Sequence, residues 1–144
     1  GLICYESIYP YVAREDVEAG AEYFLMVSND SWFDGSAALR QHLCHAVMRC
    51  VENGRDMARA GNTGISAVIS AAGTIEKKSN ADAEEVLVSD IVPTTERTLY
   101  SYIGDLIALP LAGLYAFGIF LMIRGFILKI IAKKREKETI SHNV

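Results

Sequence analysis

The chain has 144 residues, 51% of them hydrophobic and 22% charged, with a formal net charge of −4 at pH 7. That charge is uneven, because residues 1–123 carry 8 Lys/Arg against 16 Asp/Glu whereas residues 124–144 carry 6 against 2. The length suits one ordinary domain, and an acidic body excludes nucleic acid as a partner, since a duplex needs a cationic face on the folded part.

The first residues read "GLICYES". Gly1-Leu2-Ile3 is a short apolar run that suits the end of a strand covered on both faces of a sheet. Cys4-Tyr5-Glu6-Ser7 then breaks the pattern with a thiol, a hydroxyl and a carboxylate. A strand that ends in a nucleophile ahead of a helix holds a reactive atom exposed on a tight turn, whereas free cysteines more commonly fill small core slots. The heptapeptide is compatible with both roles. With a strand already under way at Gly1 and no initiator methionine, the chain is expected to be the C-terminal piece of a longer protein.

Residues 8–21 place Val12, Val17 and Ala21 among Arg14, Glu15, Asp16 and Glu18, which predicts one solvated helix closed by Gly20. "EYFLMVSND" predicts a second buried strand ending in the polar cluster Ser28, Asn29 and Asp30, and "SWFDGSAAL" a loop bearing Trp32 and Phe33. From Ala38 to Asn53 the apolar positions Leu39, Leu43, Ala46, Val47, Cys50 and Val51 recur at helical spacing, with Gly54 as the stop. "MARAGNTGISAVIS" and, after Ala72-Gly73, "TIEKKS" predict two strands of a hairpin or meander. "EEVLVSDIVPTT" predicts one more strand, broken by Pro93. Strand, helix, strand, helix and then strands describe an α/β sheet with helices packed on it.

The strands ending in "CYES" and "SNDSWF" bring their C-terminal ends to one sheet edge, where open α/β folds place their sites. There a helix N-terminus favours the Cys4 thiolate, and the Tyr5 N–H is aimed to meet an oxyanion. Glu6 can orient a neighbouring group, or is simply a favourable first-turn acid. No base or cation that would activate Cys4 is evident from spacing. His42 and His45 show no Cys–His pairing and, with Cys44 and Cys50, fit no standard zinc pattern, so ordinary helix-face roles are expected. Three cysteines leave at least one unpaired. Cys44 and Cys50, separated by about 9 Å of helical rise, are too far apart for an unstrained disulfide.

Leu106 to Ile123 is 18 residues without a charge, about 27 Å of helix and close to the thickness of a bilayer's hydrocarbon core. Pro110 falls near its start, where a helix tolerates proline best. Arg124 and Lys129 can snorkel at its far end. A buried core helix would keep a polar stripe, and this stretch has none. Lys129, Lys133, Lys134, Arg135 and Lys137 follow the span, so the positive-inside rule places the C-terminus in the cytoplasm and the preceding domain across the membrane. The linker "PTTERTLYSYIGD" offers Tyr100 and Tyr102 either to the headgroup level or as plain loop residues.

Taken in order, "GLICYES", "VSNDSWF", "RQH" with "RCVENGRD", "RAGNTGISAVISAAG" and "VPTTERTLYSYIGD" resemble the C-terminal half of the nitrilase-like domain of bacterial apolipoprotein N-acyltransferases. "ICYE" is common across the carbon–nitrogen hydrolase superfamily. "NDSWF" with "NTGISA" and the tail leading into a membrane helix is more specific.

The resemblance implies an α/β fold: the C-terminal half of an αββα sandwich followed by one transmembrane helix. Residues 1–105 would form the partial catalytic domain, 106–131 the span and 132–144 a basic cytoplasmic tail. It implies Cys4 as nucleophile of a Glu–Lys–Cys triad whose other two members precede this chain, so that the isolated piece would be inactive. Tyr5 and Glu6 would shape the pocket, and Asn29 and Trp32 would line it. The implied reaction takes a fatty acyl chain from a phospholipid, holds it as a Cys4 thioester, and passes it to the amine of a diacylglyceryl-cysteine apolipoprotein. No metal or organic cofactor is implied. The implied location is the bacterial inner membrane with the catalytic domain in the periplasm. "WFDGS" departs from the family's usual "WFG.S", which puts the loop around Asp34 in question. The alternative is a membrane-anchored amidase of the same superfamily that hydrolyses small C–N bonds, using the same Cys4.

Overall fold

The computed structural model describes residues 1–33 and 35–142, with only the backbone described for Ile107 and residues 130–142. Asp34, on which the sequence raises a question, lies outside the described residues. The chain divides into two compact units, the first being Gly1–Gly104 and the second opening at Asp105.

The first unit is built on one five-stranded mixed sheet in the order β1 (Leu2–Ile3), β2 (Phe24–Asn29), β3 (Met57–Asn62), β4 (Ala67–Ile69), β5 (Ile75–Lys78). The first three strands run parallel, with Leu2 opposite Met26 and Phe24 opposite Met57, β4 returns antiparallel to β3, and β5 is antiparallel to β4. "MARAGNTGISAVIS" is therefore two strands rather than one. Thr63, left-handed at φ 57°, turns the chain, and the Gly61 N–H donates to Ser66 Oγ at 3.1 Å across the turn.

Helices α1 (Pro10–Glu18) and α2 (Ala37–Asn53) supply the apolar layer on one sheet face. Ala13, Val17, Leu43, Ala46 and Cys50 share a core cluster with Leu2, Phe24, Met26, Met57, Ala67 and Ile69. Burying a side chain such as Phe24 contributes about 1.5–3 kcal/mol. The predicted first helix is shorter than 8–21. Residues Cys4–Ile8 form a 3-10 turn, and Tyr9, extended because it precedes Pro10, separates that turn from α1. Helix α2 starts where Ser36 Oγ accepts from the Ala38 N–H at 3.3 Å and stops at Gly54, left-handed at φ 63°.

The other sheet face departs from the expectation of strands covered on both sides. Ile3, Leu25 and Val27 are exposed there, because period-two alternation turns every second residue away from α1 and α2. Glu85, Val86 and Leu87 border a groove of about 440 Å³ over this face. The strand predicted in "EEVLVSDIVPTT" does not form. Residues 84–98 are held at isolated points instead: the Val92 N–H donates to Asp56 Oδ2 at 2.9 Å and the Thr94 N–H to Glu22 O at 3.1 Å. A carboxylate and a loop carbonyl offer no continuous edge, and Pro93 has no N–H to add. The linker that follows contains a short helix, α3 (Leu99–Ile103), capped by Thr98 Oγ1 accepting from the Ser101 N–H.

In the second unit, helix α4 (Ala108–His142) holds the predicted span from Ala108 onward, and the first two residues of that span, 106 and 107, lie in a 3-10 turn (Gly104–Ile107). The stretch Leu99–Lys129 is long and apolar enough to cross a membrane, and none of its most apolar window is buried.

Candidate active site

Strands β1 and β2 end side by side, so the turn after Ile3 and the polar cluster after Val27 meet at one edge, as the sequence predicts. Cys4 stands there with a left-handed backbone, φ 50°, a conformation costing an L-residue about 1–2 kcal/mol. Its thiol is partly buried, 3.4 Å from Ser28 Oγ. The same hydroxyl reaches Asp30 Oδ1, so its single proton is shared between a thiol and a carboxylate. Glu6 bends back and its Oε2 accepts from the Ile3 N–H at 2.7 Å, fixing the strand-to-turn junction.

Below the elbow lies a buried polar network. Asp30 Oδ2 accepts from Arg59 Nη2 at 2.7 Å, and Asp30 Oδ1 lies 2.9 Å from His42 Nδ1. Arg59 also donates from Nε to Ile65 O at 3.1 Å. Burial lowers the Arg59 pKa, and the charge and hydrogen bond of Asp30 oppose the shift. On its other side, His42 Nε2 lies 3.2 Å from Cys4 O and 3.1 Å from Ser7 Oγ. The Tyr5 ring stacks on the imidazole with centroids 5.6 Å apart and planes 22° apart, and Phe33 meets it edge-on. The expectation for His42 is thus corrected: it is not an ordinary helix-face residue but folds back onto the Cys4 turn, meeting the carbonyl. His45, one turn on, is held below its usual pKa by burial first and then by Arg49 and His42.

The remaining predicted residues divide. Asn29 ends β2, its Oδ1 accepting from the Ser31 N–H and from Asn62 Nδ2, each at 3.3 Å. Trp32 projects to the surface, 84% exposed. Cys44 is exposed and Cys50 is buried, its thiol pushed up to about 12 chiefly by burial. Among the described residues, no group of three or more His, Cys, Asp or Glu side chains is arranged to hold a metal ion.

Sequence reasoning missed Asp30, His42 and Arg59 as a unit, although each left a trace. Asp30 closes the polar cluster, His42 interrupts the apolar stripe between Leu39 and Ala46, and Arg59 sits inside the otherwise small and apolar run "MARAG".

Comparisons with known proteins identify the family. The family model for carbon–nitrogen hydrolases matches residues 1–100. An apolipoprotein N-acyltransferase of Geobacter metallireducens is 36% identical over 107 residues, covering 74% of this chain and 20% of that protein. One from Haemophilus influenzae is 33% identical over 132 residues, covering 92% and 24% respectively. This chain thus spans about a fifth to a quarter of the length of these curated relatives. A carbon–nitrogen hydrolase structure from Helicobacter pylori G27 shares the fold at a TM-score of 0.50 and 19% identity, covering 59% of this chain and 37% of that one.

Proposed function

The chain belongs to the carbon–nitrogen hydrolase family, and from that premise we propose that it carries the nucleophile of an apolipoprotein N-acyltransferase. Cys4 takes a fatty acyl chain from a phospholipid and passes it to the N-terminal amine of a diacylglyceryl-cysteine apolipoprotein. One observation carries this reading: a single chain joins a cysteine on a left-handed strand-to-turn elbow to a helix able to cross a bilayer. A lipid donor is confined to the membrane plane, and a tethered thiol searches for it there.

In the first step the Cys4 sulfur attacks the ester carbonyl carbon of the phospholipid. A C–S bond forms and the carbonyl electron pair moves to oxygen, where the Tyr5 N–H donates. The C–O bond then breaks, and the proton from the thiol ends on the departing lysophospholipid alcohol. In the second step the acceptor amine attacks the thioester. A C–N bond forms, the C–S bond breaks, and a proton from the amine returns to sulfur. The two lipid substrates need never be bound together. The glutamate base and the lysine that the resemblance implies are assigned to no residue of this chain.

Glu6, held by the Ile3 N–H, keeps the elbow in shape, while Asn29 and Trp32 line the substrate side. The apolar face of Ile3, Leu25 and Val27 packs against the second sheet of an αββα sandwich. The catalytic domain lies on the periplasmic side of the inner membrane.

The test is mass spectrometry of the intact protein after incubation with phospholipid vesicles. The Cys4 peptide is expected to carry a fatty acyl group, lost in Cys4→Ala. Ammonia release from small amides with no lipid adduct on Cys4 would overturn the acyltransferase reading in favour of an amidase.

A further inference from the structure

We infer that His42 is a positioning residue for the nucleophile: by donating from Nε2 to the Cys4 carbonyl, it turns the Cys4–Tyr5 peptide so that the Tyr5 N–H faces the oxygen of the attacked substrate carbonyl. This rests on Cys4 being the nucleophile, as proposed above.

The described residues contain no cis peptide bond, so the C=O of Cys4 and the N–H of Tyr5 point in opposite directions across one rigid unit. Whatever holds the carbonyl therefore aims the amide. Two side chains reach it: Ser7 Oγ donates to Cys4 O at 3.1 Å, and His42 Nε2 lies 3.2 Å from the same oxygen. A carbonyl oxygen only accepts, and Arg59 Nη2, 3.2 Å from His42 Nδ1, only donates, so the tautomer with the proton on Nε2 serves both contacts. The pair pulls the carbonyl inward toward α2 and leaves the Tyr5 N–H facing away from it. A donor on the carbonyl also polarises the peptide and strengthens its N–H as a donor in turn.

The imidazole has little freedom to do otherwise. It is 2% exposed, its Nδ1 faces Asp30 Oδ1 at 2.9 Å, and Asp30 is fixed by Arg59 at 2.7 Å. Tyr5 covers one face of the ring. Asp30, just past β2, and Arg59 of β3 thus converge on the ring of His42, whose far nitrogen meets the backbone of the nucleophile. A left-handed Cys4 needs such support, since L-residues leave that conformation when free to do so.

Two reactions of the same thiol separate this role from a merely structural one. Acylation by p-nitrophenyl butyrate passes through an oxyanion and needs the Tyr5 N–H. Alkylation by iodoacetamide is a displacement at carbon and does not. In the intact membrane-embedded protein, His42→Asn keeps a group near Nδ1 for Asp30 but cannot reach the Cys4 carbonyl. The p-nitrophenolate burst is expected to slow about 100-fold. His42→Gln places an N–H near the Nε2 position and is expected to stay within about tenfold of the wild type. Alkylation of Cys4 is expected to remain within about threefold in both.

Ser7→Ala, which removes the second donor and leaves Asp30 and Arg59 untouched, is expected to slow acylation about tenfold with alkylation unchanged. Equal acylation rates in the Asn and Gln variants, an unaffected Ser7→Ala, or alkylation falling in step with acylation would each overturn the inference. A burst that survives in Cys4→Ala would instead sink the nucleophile assignment beneath it.

Discussion

Gly64 lies so close to Asp30 that a methyl group on its α-carbon would sit 2.2 Å from Asp30 Oδ2 and 2.8 Å from Asp30 Cβ. Its φ is not in the left-handed region, so the restriction at this glycine is one of space. The turn between β3 and β4 has to be bare for the carboxylate to reach both His42 and Arg59. Gly64 thereby sets where the floor of the site can lie.

Gly64→Ala is expected to destabilise the protein by about 1–3 kcal/mol through overpacking. Thermal unfolding of the detergent-purified protein measures it. An unchanged midpoint would show that the turn yields without disturbing Asp30.

Asp30→Asn removes the charge facing Arg59, where neither side chain is exposed at all. Stripping one partner from a buried pair costs about 3–5 kcal/mol, because the remaining charge has no water to return to. Urea unfolding is expected to show this loss, and the double variant Asp30→Asn/Arg59→Met is expected to recover part of it. A double variant as unstable as the two single changes combined would refute the account.

The Cys50 thiol is pushed from about 9 up to about 12, first by burial and then by the charge of Asp56. A raised thiol pKa means the fold favours the neutral form. The stability it contributes is intact below the unfolded pKa and is lost as pH climbs toward the folded one. Between pH 9 and pH 10.5 the wild type is expected to lose more stability than Cys50→Ala, by up to about 1.4 kcal/mol per pH unit. Parallel pH profiles for the two proteins would rule the effect out.

The basic residues after the apolar stretch predict a cytoplasmic C-terminus. A reporter active only in the cytoplasm, fused after Val144, is expected to function, while one that requires export is expected to be silent. The reverse pattern would invert the topology and remove the thiol from the periplasmic side.

Much of the framework was legible because it is written in short-range patterns. Helix α2 carried its period and its glycine stop within Ala38–Gly54, whereas its Ser36 cap went unread. The turn at Cys4 showed itself as a break from apolar to polar over a few residues. Strand β2 announced both its apolar length and the cluster at its end. The misread segments failed for local reasons of the same kind: "MARAGNTGISAVIS" hid a turn at Thr63, and the valines of 84–98 suggested a strand although no sheet edge receives them.

By itself, then, the sequence determined which segments curl or extend, where a reactive sulfur meets a chain reversal, and that a stretch without charge is long enough to cross a bilayer. All of these depend on residues within a turn or two of one another. Only the tertiary structure decided that His42, Asp30 and Arg59 converge under Cys4 and that Ile3, Leu25 and Val27 share the sheet face turned away from α1 and α2. His42 reaches a carbonyl 38 positions away and Arg59 a carboxylate 29 positions away. Contacts over such separations leave no period in the chain, and they exist only once the parallel strands have brought their ends together.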